Sequence, residues 1–143
     1  MAQLITSFRF SVNFQLPGGS VPVHFSEVSG LSVNVETESV KEGGQNEYIQ
    51  KLPTHPQYNN LVLKKAIGVD MALARWISKA ITTFDFSPVS MTISMLDEKG
   101  DPLVNWMISG AYPVKWEVSN LQADQNSLAI ETLEMAYQQF NII

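Results

Sequence analysis

The sequence predicts a mainly β domain in which two antiparallel sheets pack as a sandwich or small barrel, with one short helix and one long extended loop. Three observations predict this fold. Apolar and polar residues alternate over most of the chain, which is typical of strands with one buried face. Helical spacing occurs once, over about 70–81, and neither pattern occurs over about 36–60. The 143 residues suit a single domain, 1–143, built around one core.

The first third of the chain alternates with a period of two, so we expect successive strands there. Pro17-Gly18-Gly19 ends the first run, and Gly30 interrupts the second, where we expect a bend. The apolar positions are Phe8, Phe10, Val12, Phe14 and Leu16, then Val21, Val23 and Phe25, then Leu31, Val33 and Val35.

The stretch over about 36–60 combines two prolines and adjacent glycines with scattered apolar residues. Loops of this length are uncommon in compact domains and are usually functional or disordered. The apolar residues in it need something to pack on, so we expect an arm that contacts another molecule. They are Val40, Tyr48, Ile49, Leu52 and Tyr58.

The remainder predicts a short strand at 61–65, the helix at about 70–81, and four further strand runs. Asp70 suits the helix N-cap, and apolar residues from Leu73 to Ile81 form one stripe. Residues 89–109 are typical of a hairpin, and 114–118 of a separate strand. The last strand, 127–140, changes phase, which predicts a bulge near Glu131-Thr132.

Composition limits the classes of function. Charged residues make up only 16% of the chain, below the usual value of about 25%, so we expect a partner to cover part of the surface. A net charge of −5 disfavours a tightly gripped nucleic acid, which needs clustered Lys and Arg. The chain has no Cys, no secretory signal and no run near the ~18 apolar residues of a membrane span, so we expect no membrane insertion.

No residue set predicts catalysis, a cofactor or a metal ion. His24 falls on the polar side of a strand and His55 in the predicted loop, which is not a metal-ligand spacing. The acidic residues 97–101 are typical of a hairpin tip and lack the order of a calcium loop. Gly43-Gly44 is not followed by the Lys and Ser or Thr of a phosphate loop. We therefore expect no enzymatic activity.

Several motifs in order resemble one protein family over nearly the whole chain, from about Phe8 to Tyr137. These motifs are FSEVSGL at 25–31, KEGGQNEY at 41–48, KLP at 51–53, YNNLVLKK at 58–65, the short helix with Trp76, and IETLEMA at 130–136. Their order resembles the inner tube proteins of contractile phage tails and contractile injection systems.

The resemblance implies hexameric rings that stack into a hollow tube inside a contractile sheath. It implies that strands of six subunits join into one barrel lining the channel, and that the long loop reaches the next ring. The implied partners are further copies, the sheath protein, baseplate or spike and tube-terminating proteins, and an effector or DNA cargo. The implied place is assembly in the bacterial cytoplasm, then a phage-tail-like particle, extracellular or membrane-anchored, or a virion tail.

Under this resemblance, two residue sets are predicted to act in assembly. The predicted ring-stacking residues are Val40, Lys41, Glu42, Gly43, Gly44, Gln45, Asn46, Glu47, Tyr48, Ile49 and Leu52. The predicted channel-facing residues are Ser90, Thr92 and Ser94, which alternate with apolar positions, and Glu131 and Glu134, whose charge would repel an anionic cargo. Two alternatives remain: a tail tube that passes phage DNA, or a stand-alone ligand-binding barrel whose lid is the long loop.

Overall fold

The structure, a computed structural model, describes residues 9–40, 49–68, 72–119 and 129–143. Within these ranges the chain forms one helix, α1 (Ala72–Thr83), and ten strands. The strands are β1 (Arg9–Leu16), β2 (Gly19–Phe25), β3 (Glu27–Ser29), β4 (Val33–Val40), β5 (Gln50–Tyr58), β6 (Leu61–Ala66), β7 (Val89–Leu96), β8 (Pro102–Val118), β9 (Ile130–Ala136) and β10 (Gln139–Ile142).

Eight strands form one antiparallel sheet that bends along β8. Half-sheet A has the order β2-β1-β7-β8-β10 and uses the first part of β8, to residue 111. Half-sheet B has the order β8-β9-β6-β3 and uses residues 112–118 of β8. Gly110 stands at the bend with a φ of 68°, a conformation that glycine adopts at little cost.

The inward positions of the two half-sheets form a single core. Half-sheet A contributes fully buried side chains such as Phe14 and Ile93, and half-sheet B contributes Leu63 and Leu133. Helix α1 adds its own apolar stripe, in which Ile77 is 1% exposed. Burying each large apolar side chain contributes about 1.5–3 kcal/mol, so the alternating sequence fixes which face of each strand turns inward. The prediction of two packed antiparallel sheets with one short helix is confirmed.

The predicted long loop is largely a two-stranded hairpin. Strands β4 and β5 pair with each other and stand apart from the eight-stranded sheet. We call this hairpin the arm: residues 33–40 and 49–58, with 41–48 outside the described residues. Most side chains of both strands are exposed, so the sequence lacks the apolar alternation that marks a half-buried strand.

Two other expectations need correction. Residues 114–118 are not a separate strand but continue β8, because the chain bends at Gly110 without leaving the sheet. The last strand is interrupted at residues 137–138 and has no bulge at Glu131-Thr132, because Glu131, Leu133 and Met135 all point inward. The helix is described over Ala72–Thr83, in agreement with the predicted helix at about 70–81, and its predicted cap, Asp70, is outside the described residues.

Candidate assembly surfaces

The arm exposes apolar side chains that have no place in the core. Val35 is 56% exposed, Ile49 60% and Leu52 47%. Val40, at the end of β4, is half-buried. Three of the predicted ring-stacking residues, Val40, Ile49 and Leu52, therefore lie on the arm, whereas Lys41 to Tyr48 fall outside the described residues. An exposed apolar surface carried on a projecting hairpin is typical of an interaction site.

The direction of the arm is fixed at its base. Gly30 has a φ of 91°, and a Cβ atom placed there would lie 2.0 Å from the backbone oxygen of Asn60, so the two ends of the arm cross in contact. The Asn59 N–H donates to the Ser32 carbonyl at 3.3 Å, and a side-chain hydrogen bond joins the same two residues. These contacts join the segments that enter and leave the arm at its base.

An aromatic cluster secures the end of β5 to the sheet. The Tyr58 ring lies 5.8 Å from that of Tyr137 and 5.2 Å from that of Phe140, between centroids. The Tyr137 hydroxyl donates to the Gly30 carbonyl at 3.3 Å. Burial, with a smaller contribution from Tyr58, raises the pKa of the Tyr137 hydroxyl. These rings tie the base of the arm to the bend between β9 and β10.

The arm is held together within itself by side chains as well as by strand pairing. The Thr54 hydroxyl donates to the Glu36 carbonyl at 3.0 Å, and His55 Nε2 lies 2.9 Å from Glu36 Oε2. His55, predicted as a loop contact, thus pairs across the hairpin in β5. Pro53 and Pro56 fit this two-stranded unit because proline, which lacks an N–H, is tolerated in edge strands.

The predicted channel residues of β7 lie on the outward face of half-sheet A. Ser90, Thr92 and Ser94 alternate with buried Met91 and Ile93, as the sequence predicted. The register places Thr92 opposite Asn13 of β1, and the Ser94 hydroxyl donates to Asn105 Oδ1 of β8 at 2.6 Å. That they face a channel stays a prediction.

Small uncharged polar side chains dominate this outward surface, which we call the polar face. Arg9, at one end of β1, is the only permanently charged residue at the outward positions that the described strand registers define. His24 is the other ionisable side chain there. The polar face comprises Arg9, Ser11, Asn13, Gln15, Ser20, Pro22, His24, Ser90, Thr92, Ser94, Leu96, Asn105, Met107, Ser109, Gln139 and Asn141.

The outward surface of half-sheet B is different and carries charges of both signs. We call it the charged face; it comprises Glu27, Lys64, Lys115, Glu117, Thr132 and Glu134. Lys115 Nζ lies 3.3 Å from Glu117 Oε2. Glu134 Oε2 accepts a hydrogen bond from Asn60 Nδ2 at 3.1 Å. Glu134 therefore lies on the opposite side of the sandwich from Ser90, Thr92 and Ser94, and these residues cannot line one surface of a subunit.

The prediction that Glu131 faces a channel is wrong, because its side chain is buried. Glu131 is 6% exposed and points into the sandwich. Lys65 Nζ lies 3.0 Å from its Oε2, and Trp116 Nε1 donates to its Oε1 at 2.8 Å. The missed signal was its alternation with Leu133 and Met135. Glu131 is thus a structural residue that joins β6, β8 and β9.

Two sheet edges, and an aromatic cluster that sequence reasoning missed, are further candidate contact surfaces. In the described ladders β2 pairs only with β1, and β3 only with β6, so each presents an edge. Phe84 is 81% exposed and has a φ of 54°. Its ring lies 4.8 Å from Phe86, which in turn lies 6.1 Å from Tyr112, between centroids. Exposed edges and aromatic residues are both typical of contacts between protein chains.

The part of the chain that the structure describes holds neither a metal-binding cluster nor a membrane-spanning helix. In that part no group of three or more His, Asp or Glu residues is placed to hold a metal ion. Helix α1, likewise within the described residues, is not long and apolar enough to cross a membrane. The space between the half-sheets is filled by core side chains such as Phe14 and Met135.

One family model matches almost the whole chain. It is the model of the T4-like virus tail tube protein gp19, and it matches residues 6–141. Comparison with proteins of curated function found no significant match.

Solved structures with the same fold include components of contractile injection systems. A chain in the sixfold-symmetrised structure of the anti-feeding prophage baseplate is 28% identical, with a TM-score of 0.87, over 100% of this chain and 97% of that one. A chain in the extended sheath–tube complex of the PVC extracellular contractile injection system is 25% identical, with a TM-score of 0.78, over 98% and 91%. An Hcp protein shares only the fold, at 10% identity and a TM-score of 0.61 over 94% and 89%.

Proposed function

Because the chain belongs to the T4-like virus tail tube protein gp19 family, we propose that it is the inner tube subunit of a contractile injection system. Copies of the chain form hexameric rings, the rings stack into a hollow tube, and the tube lies inside a contractile sheath and delivers a cargo. The similarity to chains of the anti-feeding prophage baseplate and of a sheath–tube complex supports this assignment.

The observation that carries the proposal is the exposed arm on its fixed base. A hairpin that projects from the sandwich and exposes Ile49 and Leu52 has little reason to exist in an isolated subunit. When one surface of a molecule fits a different surface of the next copy, the contact repeats as an open stack. We assign the arm to that contact between rings, with Val40 at its end as the third apolar anchor.

The sheet edges supply the contact within a ring. The edges of β2 and β3, together with the exposed cluster of Phe84, Phe86 and Tyr112, offer strand pairing and apolar packing to a neighbour. Each added main-chain hydrogen bond contributes about 0.5–1.5 kcal/mol, and a ring repeats the contact at every subunit. With the edges joined, the polar face lines the channel and the charged face turns toward the sheath.

The remaining assignments follow from this place in the particle. The partners are the sheath protein, the baseplate or spike and the protein that terminates the tube, and the particle assembles in the bacterial cytoplasm. The subunit has no enzymatic role. The alternative with the same geometry is a tail tube that passes phage DNA; gene neighbours that encode capsid and terminase would favour it, whereas an ATPase with toxin genes would favour the injection particle.

Single cysteines test which face lines the channel, because the native chain has none. Thr92→Cys places a thiol on the polar face, and Thr132→Cys places one on the charged face as a matched control, since both threonines are half-buried. In assembled tubes we expect a large polyethylene glycol maleimide to react at position 132 and to be excluded at position 92, while a small maleimide reaches both. Equal access of the large reagent to both positions would contradict the proposal.

Apolar-to-polar changes on the arm test the contact between rings. Ile49→Ser with Leu52→Ser should leave rings and remove long tubes in negative-stain electron microscopy, because it removes the exposed apolar contacts. Ile67→Ser is the control, since Ile67 is also exposed but lies outside the arm. Long tubes formed by the arm variant as readily as by the control would contradict the assignment of the arm.

A further inference from the structure

We propose that the polar face admits polypeptide cargo of either net charge, so that the tube selects by size and not by sign of charge. This inference rests on the proposed function and adds to it the basis on which the tube selects its cargo. It replaces the expectation that an acidic wall repels an anionic cargo, because Glu131 is buried and Glu134 lies on the charged face.

The charges of the chain are distributed unequally between its two outward surfaces. The sequence has 9 basic and 14 acidic residues, yet the outward positions of half-sheet A carry one permanent charge, Arg9, at the end of a strand. The charged face carries five charged residues on fewer strands, among them Lys64 and Glu134. A chain with net charge −5 thus presents one nearly neutral wall. Its charges lie at one end, where Arg9 adjoins the β7–β8 turn that carries Asp97, Glu98, Lys99 and Asp101.

The charges behind the polar face have little influence in front of it. Packed sheets lie about 10 Å apart, so the exposed charges of the opposite half-sheet are at least that far away. At physiological ionic strength the Debye length is about 8 Å, and exposed charges beyond it are largely screened. The buried charges Lys65 and Glu131 are paired with each other at 3.0 Å and add no net field.

The chemistry of the wall suits polypeptide and not a polyanion. Hydroxyl and amide side chains such as Thr92, Ser94 and Asn105 donate and accept hydrogen bonds, and so do the peptide groups of any polypeptide. A nucleic acid is bound through Lys and Arg on its phosphates, or kept off a surface by like charge. The polar face supplies neither of these. Polypeptide is therefore the occupant that fits.

The test uses purified tubes and three fluorescent 30-residue peptides of equal length with net charges of +6, 0 and −6, plus a 30-nucleotide single-stranded DNA. Tubes are assembled with each probe, and the protease- or nuclease-protected fraction that sediments with them is measured in 50 mM and 300 mM salt. We expect the three peptides to be retained equally within about twofold at both salt concentrations, and the DNA to be retained less than the −6 peptide.

Added charge on the wall provides the control. Thr92→Glu should reduce retention of the −6 peptide and raise that of the +6 peptide several-fold in 50 mM salt, and Thr92→Lys should do the reverse. If Thr92 variants do not assemble, Ser90, which is exposed on the same strand, takes the same substitutions. The matched changes Thr132→Glu and Thr132→Lys on the charged face should leave retention unchanged.

The outcomes separate this inference from the proposed function. Tubes that form and retain peptides of one sign more than tenfold better, or that retain DNA best, would overturn the neutral wall and leave the tube assignment standing. The neutral wall would also be overturned if charge changes at position 132 altered retention while those at positions 90 and 92 did not. Native protein that forms no tubes with baseplate present would contradict the proposed function, and the inference with it.

Discussion

The ion pair between Lys65 and Glu131 joins neighbouring strands inside the sandwich, and removing the charge of one partner should destabilise the subunit. The two residues are directly opposite each other on β6 and β9, with Nζ and Oε2 3.0 Å apart. Their side chains are 14% and 8% exposed. Glu131→Gln keeps an oxygen for the Trp116 hydrogen bond but leaves the Lys65 ammonium without its counter-charge.

The size of the effect follows from the burial of the pair. Breaking a buried ion pair from one side costs about 3–5 kcal/mol, because a charge is left buried without a partner. Lys65 and Glu131 both line a groove of about 250 Å³ beside β2, so we expect the lower end of this range, about 3 kcal/mol. For a chain of this size that corresponds to a melting temperature lower by about 9 °C.

A double-mutant cycle separates the charge pair from other losses. Lys65→Met alone should destabilise by a similar amount, whereas Lys65→Met with Glu131→Gln should come within about 1 kcal/mol of the native protein, because no unpaired charge remains. Urea unfolding followed by tryptophan fluorescence on unassembled subunits measures all four proteins. Glu134→Gln, at a partly exposed site on the same strand, is the control and should change stability by less than about 0.5 kcal/mol.

The reasoning would be refuted if Glu131→Gln cost less than about 1 kcal/mol, or if the double variant were as unstable as the sum of the single variants. Either result would mean that Lys65 and Glu131 do not depend on each other in the folded subunit. It would also reopen the prediction that Glu131 acts at a surface.

Three further predictions concern the bends of the chain and its response to pH. Gly30→Ala should prevent stable folding, since the left-handed φ alone costs about 1–2 kcal/mol and the new Cβ would lie 2.0 Å from a backbone oxygen. Expression and circular dichroism test this by comparison with Gly18→Ala, where the new Cβ would have nothing within 4 Å. Gly110→Ala should lower the free energy of unfolding in urea by only about 2 kcal/mol, because the nearest atoms to its Cβ would belong to the movable side chain of Gln138. A loss of stability as great as that of Gly30→Ala would contradict this ranking. Because the pKa of Tyr137 is raised in the folded state, its contribution to stability is complete below the unfolded pKa of about 10 and is lost as pH rises through the folded pKa. Between pH 9.5 and pH 11.5 the stability of Tyr137→Phe should therefore fall less than that of the native protein, and an equal fall would contradict this role of Tyr137.

The fold class and most elements could be predicted because one face of each sandwich strand is buried. In β1, β7 and β8 the apolar residues recur with period two, and burial enforces that pattern. Of the arm only the start of β4, at Val33 and Val35, could be assigned to a strand, since β4 and β5 are exposed on both faces and place no such demand on the sequence. The continuity of β8 was missed because a glycine bend and a chain break have the same sequence signal.

The candidate site could be predicted in part, for related reasons. The outward position of Ser90, Thr92 and Ser94 followed from alternation with buried neighbours on one strand. The place of Glu131 did not, because its two partners come from strands far away in sequence, and only the folded structure brings Lys65 and Trp116 to its carboxylate. The alternation of Glu131 with Leu133 and Met135 indicates an inward position, but nothing local shows that its charge is compensated, and so the side chain was expected on the surface.

Cryo-electron microscopy of tubes assembled from the native chain would show which surfaces of the subunit meet in the particle. We expect hexameric rings in which the polar face lines the channel and residues 49–52 of the arm contact the adjacent ring. Tubes in which the charged face lines the channel, or in which the arm contacts nothing beyond its own ring, would contradict this expectation.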